Sequence, residues 1–145
     1  MKYTILVFLA LSAACTSEYN ESISDHATHE EHTATIALNN GAKWDADENT
    51  NKNVADMQKI ATDFRSSDKA GMDSYKEFSN DLQTSLNTLI EECRMGGADH
   101  DALHSWLEPL LSANNLLSKT EDEATAVETS ETIYEMLDNY NTYFE

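Results

Sequence analysis

The spacing of apolar residues between positions 54 and 144 constrains the fold of this chain more than any other feature. In four successive stretches these residues recur every three or four positions, which places them on one face of a helix. The four stripes are Val54, Met57, Ala61 and Phe64; Tyr75, Phe78, Leu82, Leu86, Leu89, Ile90 and Cys93; Leu103, Leu107, Leu110, Leu111 and Leu117; and Val127, Ile133, Tyr134, Leu137, Tyr140 and Phe144. Four amphipathic helices with short connections predict an all-α, antiparallel four-helix bundle over residues 35–145.

Residue types that begin or end helices flank each stretch. They are Asp47, Asn49 or Thr50 before the first; Ser74 with Glu77 as a capping box and Gly96-Gly97 as a stop for the second; about Asp99 and Ser118 for the third; and Thr120 with Glu123 as a capping box for the fourth. Just before the first helix, Asn40-Gly41 is the strongest local signal for a tight hairpin turn. We expect this short hairpin to lay Leu38 and Trp44 against one end of the bundle.

The first 34 residues read as an export leader followed by a tether. Met1-Lys2 supplies a positive start, an apolar run follows, and small residues precede Cys15, which is typical of a signal peptide over residues 1–14. A Cys in this place also resembles the bacterial lipobox, which predicts a lipid on Cys15. Ordinary cleavage that leaves a free Cys15 is the alternative. Residues 15–34 are polar and acidic without apolar periodicity, so we expect a disordered tether that holds the bundle near a membrane of the cell envelope.

The charge of the chain limits its partners. Nine Lys and Arg stand against 27 Asp and Glu, which gives a formal net charge of −18. Such a chain repels phosphate backbones, so nucleic acid is excluded as a natural partner. The expected partners are a membrane, through the lipid on Cys15, and metal ions.

One group of residues around the predicted turn between the second and third helices has the chemistry of a metal site. His100 and His104 are one helical turn apart on the same face, and we expect both rings to lean inward. Folding the chain about Gly96-Gly97 would bring Cys93 opposite them, with Met95 in the turn. Thiolate, thioether and imidazole together suit Cu(I) first and Zn(II) second. The alternative is that Cys93 is a plain core residue and the histidines are packing residues.

A second, weaker metal signal lies in the tether, where His26, His29 and His32 are spaced three apart among carboxylates. A chain of this kind can wrap its imidazoles around an ion at low affinity, or it can be a solvated linker that happens to contain histidine. Motifs of enzymes are missing from the sequence: there is no pair of Glu-x-x-His, no Gly-rich phosphate loop, no Gly-x-Ser-x-Gly and no Cys-x-x-Cys-His. The sequence therefore favours a protein that is not an enzyme.

Several segments together resemble a group of small, His-rich envelope lipoproteins of the Bacteroidota type. They are the leader ending at Cys15, the His-bearing tether, Leu38-Asn39-Asn40-Gly41-Ala42-Lys43-Trp44, Cys93-x-Met95-x-Gly97, His100-x-x-Leu103-His104-x-Trp106-Leu107-x-Pro109, and Tyr140-x-x-Tyr143-Phe144. The resemblance covers most of the chain after the leader. It implies a helical bundle in the envelope that handles copper or other heavy metals. A membrane-tethered protein that binds copper or zinc is the leading hypothesis, and a structural or protein-interaction lipoprotein without a metal site is the alternative.

Overall fold

The computed structural model describes residues 36–68 and 71–145, and it contains four helices. Helix α1 spans Glu48–Arg65, α2 spans Met72–Glu92, α3 spans Gly97–Lys119 and α4 spans Glu123–Tyr143. The links between helices are short, so each helix must reverse direction against the one before it. The predicted all-α four-helix bundle is confirmed.

Side-chain contacts show that neighbouring helices are antiparallel. Early in α1, Asn53 donates to Glu92 at the end of α2, over 3.0 Å. Early in α3, the Trp106 indole donates to the carbonyl of Met136 late in α4, over 3.0 Å. α1 also packs on α4, which closes the bundle, whereas α1 and α3 make no close backbone approach within the described residues. The helices therefore stand in the order α1, α2, α3, α4 around a common core.

The core lies along the predicted apolar stripes. Its largest fully buried side chains are Tyr140, Phe78, Phe144, Met57, Leu82, Leu86, Leu89, Leu103, Leu110, Leu117, Ile133 and Leu137. Every helix contributes at least one residue to this set. The burial of apolar area therefore holds all four helices together.

A buried polar cluster sets the register of α2 and α3 along their axes. Asn114 is 1% exposed, and its side-chain oxygen accepts a hydrogen bond of 2.9 Å from the Ser79 hydroxyl. Its amide nitrogen donates to the Ser79 carbonyl, over 3.2 Å, and to Oε1 of Gln83, over 3.0 Å. A shift of one helical turn between α2 and α3 would leave these buried groups without partners, which costs more than the bonds themselves contribute.

The turn at Asn40-Gly41 forms as predicted. Asn39 and Ala42 exchange two backbone hydrogen bonds of 2.9 and 3.0 Å, and they form an antiparallel bridge. Asn40 and Gly41 have φ angles of 51° and 93°, in the left-handed region that Asn and Gly tolerate best. Trp44 is half-buried against the bundle as expected, but Leu38 is 41% exposed, so the expectation for Leu38 was wrong.

Two predicted helix starts differ from the structure. The N-cap of α2 is Gly71, with a φ of 88°, and the helix begins at Met72. Ser74, the predicted cap, therefore lies inside the first turn. α4 is capped by Asp122 in place of Thr120, because the Asp122 carboxylate accepts from both the backbone and the hydroxyl of Thr125, over 2.8 and 2.7 Å. The first helix is capped by Asp47, one of the three predicted candidates.

Two members of the predicted stripes lie outside the core. Ile90 is 51% exposed and Val127 is 43% exposed. In each case the preceding residue, Leu89 or Ala126, is buried instead. Successive residues on a helix are turned by about 100°, and at these two places that turn directs the second residue of the pair towards solvent.

Some predictions on the first 35 residues lie outside the described part of the chain. These are the signal peptide over 1–14, the lipidation of Cys15 and the disordered tether over 15–34. Among the described residues, no helix is long and apolar enough to cross a bilayer.

The contrast between buried and exposed leucines of α3 gives a test of the core. Leu110 is fully buried and Leu116 is 50% exposed on the same helix. We expect Leu110→Ala to lower the free energy of unfolding by about 2–5 kcal/mol, because it removes buried methyl groups and leaves a cavity. Leu116→Ala is the matched control and should change it by less than about 1 kcal/mol. Urea denaturation followed by circular dichroism measures both, and equal losses for the two variants would contradict the packing of α3.

Candidate metal centre

The predicted ligands of the bundle lie at the end where α1 begins, α2 ends, α3 begins and α4 ends. The carboxylate of Asp47 connects the start of α1 with the link between α2 and α3. Its Oδ1 accepts from the backbone N–H of Thr50 and its Oδ2 from the backbone N–H of Arg94, both over 2.6 Å. One side chain therefore caps α1 and holds the link between α2 and α3 in place.

Burial of Asp47 by itself would raise the pKa of its carboxyl group. The hydrogen bonds from the backbone of Thr50 and Arg94 outweigh that effect, so the pKa is lowered below its usual value. The ionised carboxylate is the form that accepts both bonds. This cap is therefore in place throughout the neutral pH range.

The chain segments before α1 and after α4 lie side by side at this same end. Trp44 donates its backbone N–H to the Tyr143 carbonyl over 2.8 Å, and Glu145 donates to the Trp44 carbonyl over 3.0 Å. The Asp45 backbone N–H donates to Oδ1 of Asp99 in the first turn of α3, over 3.2 Å. The short hairpin is thereby fastened to both α4 and α3.

An aromatic cluster supports these contacts from beneath. Tyr140 stacks on Phe144 with ring centroids 4.7 Å apart, and Trp106 meets the Tyr140 ring edge to face at 4.9 Å. The buried Tyr140 hydroxyl donates to Oδ1 of Asn51 in α1, over 3.0 Å. Burial, with further contributions from Asp47 and Cys93, raises the pKa of Tyr140 far above its usual value, so the phenol stays protonated as a donor.

His100 and His104 form the most defined pair of metal-ligating side chains in this region. Their ring centroids are 4.6 Å apart, and the ring planes are inclined by 68°. Two imidazoles that share one ion at metal–nitrogen distances of about 2.0–2.1 Å have centroids roughly 5 Å apart. The centroid separation in the structure is similar to this value. Pairs of histidines at this spacing on a helix are an established way of binding zinc.

The two rings are not both directed inward as expected. His100 is half-buried, but His104 is exposed. The expectation rested on a stripe of Leu103, Leu107 and Leu111, whereas the buried face of α3 also includes Ala102, Trp106 and Leu110, and Leu111 is only half-buried. These residues turn the helix so that His104 points away from the core.

Cys93 and Met95 lie in the link between α2 and α3. Cys93 is the C-cap of α2, where its backbone N–H donates to the Leu89 carbonyl over 2.9 Å. Both side chains are half-buried and pack against the core. Cys93 is a free thiol in the described part of the chain.

The structure brings the two histidines together but does not place Cys93 in one metal-binding group with both. Within residues 36–68 and 71–145, no three His, Cys, Asp or Glu side chains lie close enough to one another to hold a metal ion. The ligand roles of Cys93 and Met95 therefore remain predictions. His26, His29 and His32 lie outside the described residues.

The residues that shape this end of the bundle were largely missed by sequence reasoning. Asp47 was recognised as a possible helix cap, but nothing in the sequence links it to Arg94, which is distant in the chain. The hydrogen bond from the Asp45 backbone to Asp99 likewise joins residues that are distant in the sequence. Both contacts depend on how the helices stack, and one sequence contains no local signal for that.

Comparisons with protein-family models, with curated proteins and with solved structures each gave no match for this chain.

The double role of Asp47 predicts a pH dependence of stability. Its folded-state pKa lies below the unfolded value of about 3.9, so its contribution is fully present above that value. The contribution is lost as the pH falls through the folded-state pKa. We expect Asp47→Asn to lower the free energy of unfolding at pH 7 by about 0.5–1.5 kcal/mol, because the amide has a single acceptor oxygen and can keep only one of the two bonds from backbone N–H groups. The cost should become smaller as the pH falls through the folded-state pKa of Asp47.

Urea denaturation at several pH values measures this difference. The matched control is Asp81→Asn on the exposed face of α2, which should change stability little at either pH. A cost for Asp47→Asn that does not become smaller as the pH is lowered through the acid range would show that the charge of this side chain has no part in the cap.

Proposed function

We propose that this chain is an exported, membrane-tethered protein of the cell envelope that binds copper or zinc ions and is not an enzyme. The observation that carries the proposal is the His100/His104 pair on α3, with ring centroids 4.6 Å apart and His104 exposed to solvent. Imidazole nitrogens suit zinc and copper, and the exposed ring leaves room for an ion to enter. The net charge of −18 favours cations near the surface.

The proposal also includes the membrane anchor and the remaining predicted ligands. A lipid on Cys15, with the tether of residues 15–34, would hold the bundle at a membrane surface, provided that two acyl signals are present. Cys93 and Met95 are proposed as additional soft ligands that contribute when the ion is Cu(I). His26, His29 and His32 are proposed as a low-affinity collector of ions ahead of the bundle.

The metal site is tested by titrating the full-length chain with Zn(II), and with Cu(I) under anaerobic conditions, against a competing chelator. We expect His100→Ala and His104→Ala each to weaken Zn(II) binding at least about tenfold, because each removes one of the two paired ligands. Ser112→Ala on the exposed face of α3 is the matched control and should leave the affinity unchanged. Wild-type affinity in both histidine variants, with the fold intact by circular dichroism, would refute the proposal.

A second titration distinguishes a ligand role of Cys93 from a packing role. If its thiolate is a ligand, Cys93→Ser weakens Cu(I) binding more than Zn(II) binding, because thiolate is the softer ligand. If Cys93 is only a packing residue, Cys93→Ser changes the free energy of unfolding and leaves both affinities unchanged. The chain would then bind its ion through imidazole alone.

The anchor has its own test. In cells grown with labelled palmitate, we expect the wild-type chain to take up label and to remain in the membrane fraction. Cys15→Ser should lose both properties, since it removes the thiol that would be modified. Cys93→Ser is the matched control, because it removes the other cysteine of the chain and should keep the label. Label that persists in Cys15→Ser would contradict the proposed anchor.

The second candidate is a structural or interaction module of the envelope without a metal site. Exposed apolar side chains favour it: Leu116 near the end of α3 and Val127 near the start of α4 are 50% and 43% exposed. Single exposed apolar residues are common on soluble proteins, so this observation is less specific than the histidine pair. A folded chain that binds none of the tested ions would favour the second candidate.

A further inference from the structure

The tip of the hairpin carries the one asparagine of the chain that is followed by glycine, Asn40 before Gly41. Both residues are exposed, and they lie between the bridged residues Asn39 and Ala42. The two backbone hydrogen bonds of the turn join Asn39 to Ala42, and within the described chain the Gly41 N–H donates to no acceptor. Its nitrogen is therefore not held in a hydrogen bond, unlike the backbone nitrogens inside a helix.

The side chain of Asn40 and the nitrogen of Gly41 can react with each other. The nitrogen, the backbone carbonyl carbon, Cα, Cβ and Cγ of such a pair can close into a five-membered ring, and glycine has no Cβ to crowd the closure. At Gly41 a Cβ would meet no atom within 4 Å, so the surrounding space is open as well. The Asn40 amide donates to Oδ1 of the equally exposed Asn39, over 3.2 Å. Burial therefore protects neither reacting atom.

The backbone of the turn must move before the nitrogen reaches Cγ. Two exposed hydrogen bonds, of 2.9 and 3.0 Å between Asn39 and Ala42, hold the turn closed. Exposed hydrogen bonds with little buried apolar area around them open at a low cost in free energy. Asn40 also has a φ of 51°, in the left-handed region, which is less favourable for asparagine than for glycine. The folded chain can therefore open this turn without unfolding the bundle.

We propose that Asn40 is a site of spontaneous deamidation, a modification that is independent of metal binding. The Gly41 nitrogen loses its proton and forms a bond to Cγ of Asn40. The bond from Cγ to Nδ2 breaks, and Nδ2 takes up that proton and leaves as ammonia. The product is a cyclic imide, and no atom is oxidised or reduced. Water then opens the imide at one of its two carbonyl carbons: at Cγ it gives aspartate, and at the backbone carbonyl carbon it gives isoaspartate.

Isoaspartate changes the hairpin, because the main chain then runs through Cβ and Cγ and is longer by one methylene group. A tight turn sets the register of the residues that flank it, so the two bonds between Asn39 and Ala42 cannot both persist. The Trp44 indole donates across this turn to the Ala37 carbonyl over 2.8 Å, and it depends on the same register. Aspartate keeps the original backbone and tolerates the left-handed region. Only the isoaspartate product therefore loosens residues 36–39 from Trp44.

The test incubates the purified full-length chain at neutral to mildly alkaline pH and follows each asparagine by peptide mapping with mass spectrometry. Asn39 and Asn115 are the matched internal controls, since both are exposed and neither precedes glycine. We expect Asn40 to lose its amide at least about tenfold faster than either, which corresponds to a barrier lower by about 1.4 kcal/mol. Methylation by an L-isoaspartyl methyltransferase identifies the isoaspartate product.

Gly41→Ala tests the role of glycine. The added methyl group should slow the loss of the Asn40 amide at least about tenfold. Since the φ of 93° at Gly41 strains this variant in the folded state, both chains are also incubated in urea, where the turn has no part. Equal rates for the two chains in urea would contradict the attack by the Gly41 nitrogen.

Three further results would overturn the proposal. An Asn40 that stays intact in the folded chain and reacts in urea would show that the turn protects it. Loss of the amide without isoaspartate would exclude the cyclic imide, and equal rates at Asn40, Asn39 and Asn115 would exclude a specific site.

The effect on the hairpin is measured by hydrogen exchange on the isolated isoaspartate form. The matched control is Asn40→Asp, which gains the same charge on an unchanged backbone. We expect the backbone N–H groups of Asn39 and Ala42 to exchange at least about tenfold faster in the isoaspartate form than in the control. Equal exchange in the two chains would refute the loosening of residues 36–39.

Discussion

Burial of one apolar face of each helix in a common core fixes the direction of every other side chain in this bundle. On α3 the buried face includes Ala102, Leu103, Trp106, Leu107 and Leu110, which is broader than a strict stripe of leucines. The indole of Trp106 is large, and its bond to the Met136 carbonyl holds it against α4. As a result His104 faces solvent. The packing that stabilises the fold therefore places the His104 ring at the surface, and a metal ion bound by the histidine pair would lie there too.

Features set by neighbouring residues could be read from the sequence. The four helices follow from apolar spacing, and the turn at Asn40-Gly41 follows from the backbone freedom of those two residues. The spacing of His100 and His104 is likewise a property of one helix, and the structure places their rings 4.6 Å apart. Where two signals competed, sequence reasoning was less successful. α2 begins after Gly71 and not at the predicted Ser74, and of the adjacent predicted core residues Leu89 and Ile90 only Leu89 is buried.

Features that depend on the packing of separate helices could not be read in this way. The expected meeting of Cys93 with both histidines required a particular path for residues 93–96 between α2 and α3. In the structure the Asp47 carboxylate holds the backbone of Arg94, and Cys93 caps α2. The described residues form no group in which the thiol joins both rings. Of the predicted ligands, the described residues bring together the two imidazoles of His100 and His104.

The backbone pairing of residues 44–46 with residues 143–145 also has a consequence for the connectivity of the fold. It brings the strand-like segment before α1 and the end of α4 within hydrogen-bonding distance. In a chain restricted to residues 44–145, a short linker could therefore join them without disturbing the helices, and the chain could be opened instead at the exposed link between α3 and α4. In such a circular permutant the order of the helices along the chain would change while their order around the core stayed the same. The bundle is thus closed in its architecture, although its chain is linear.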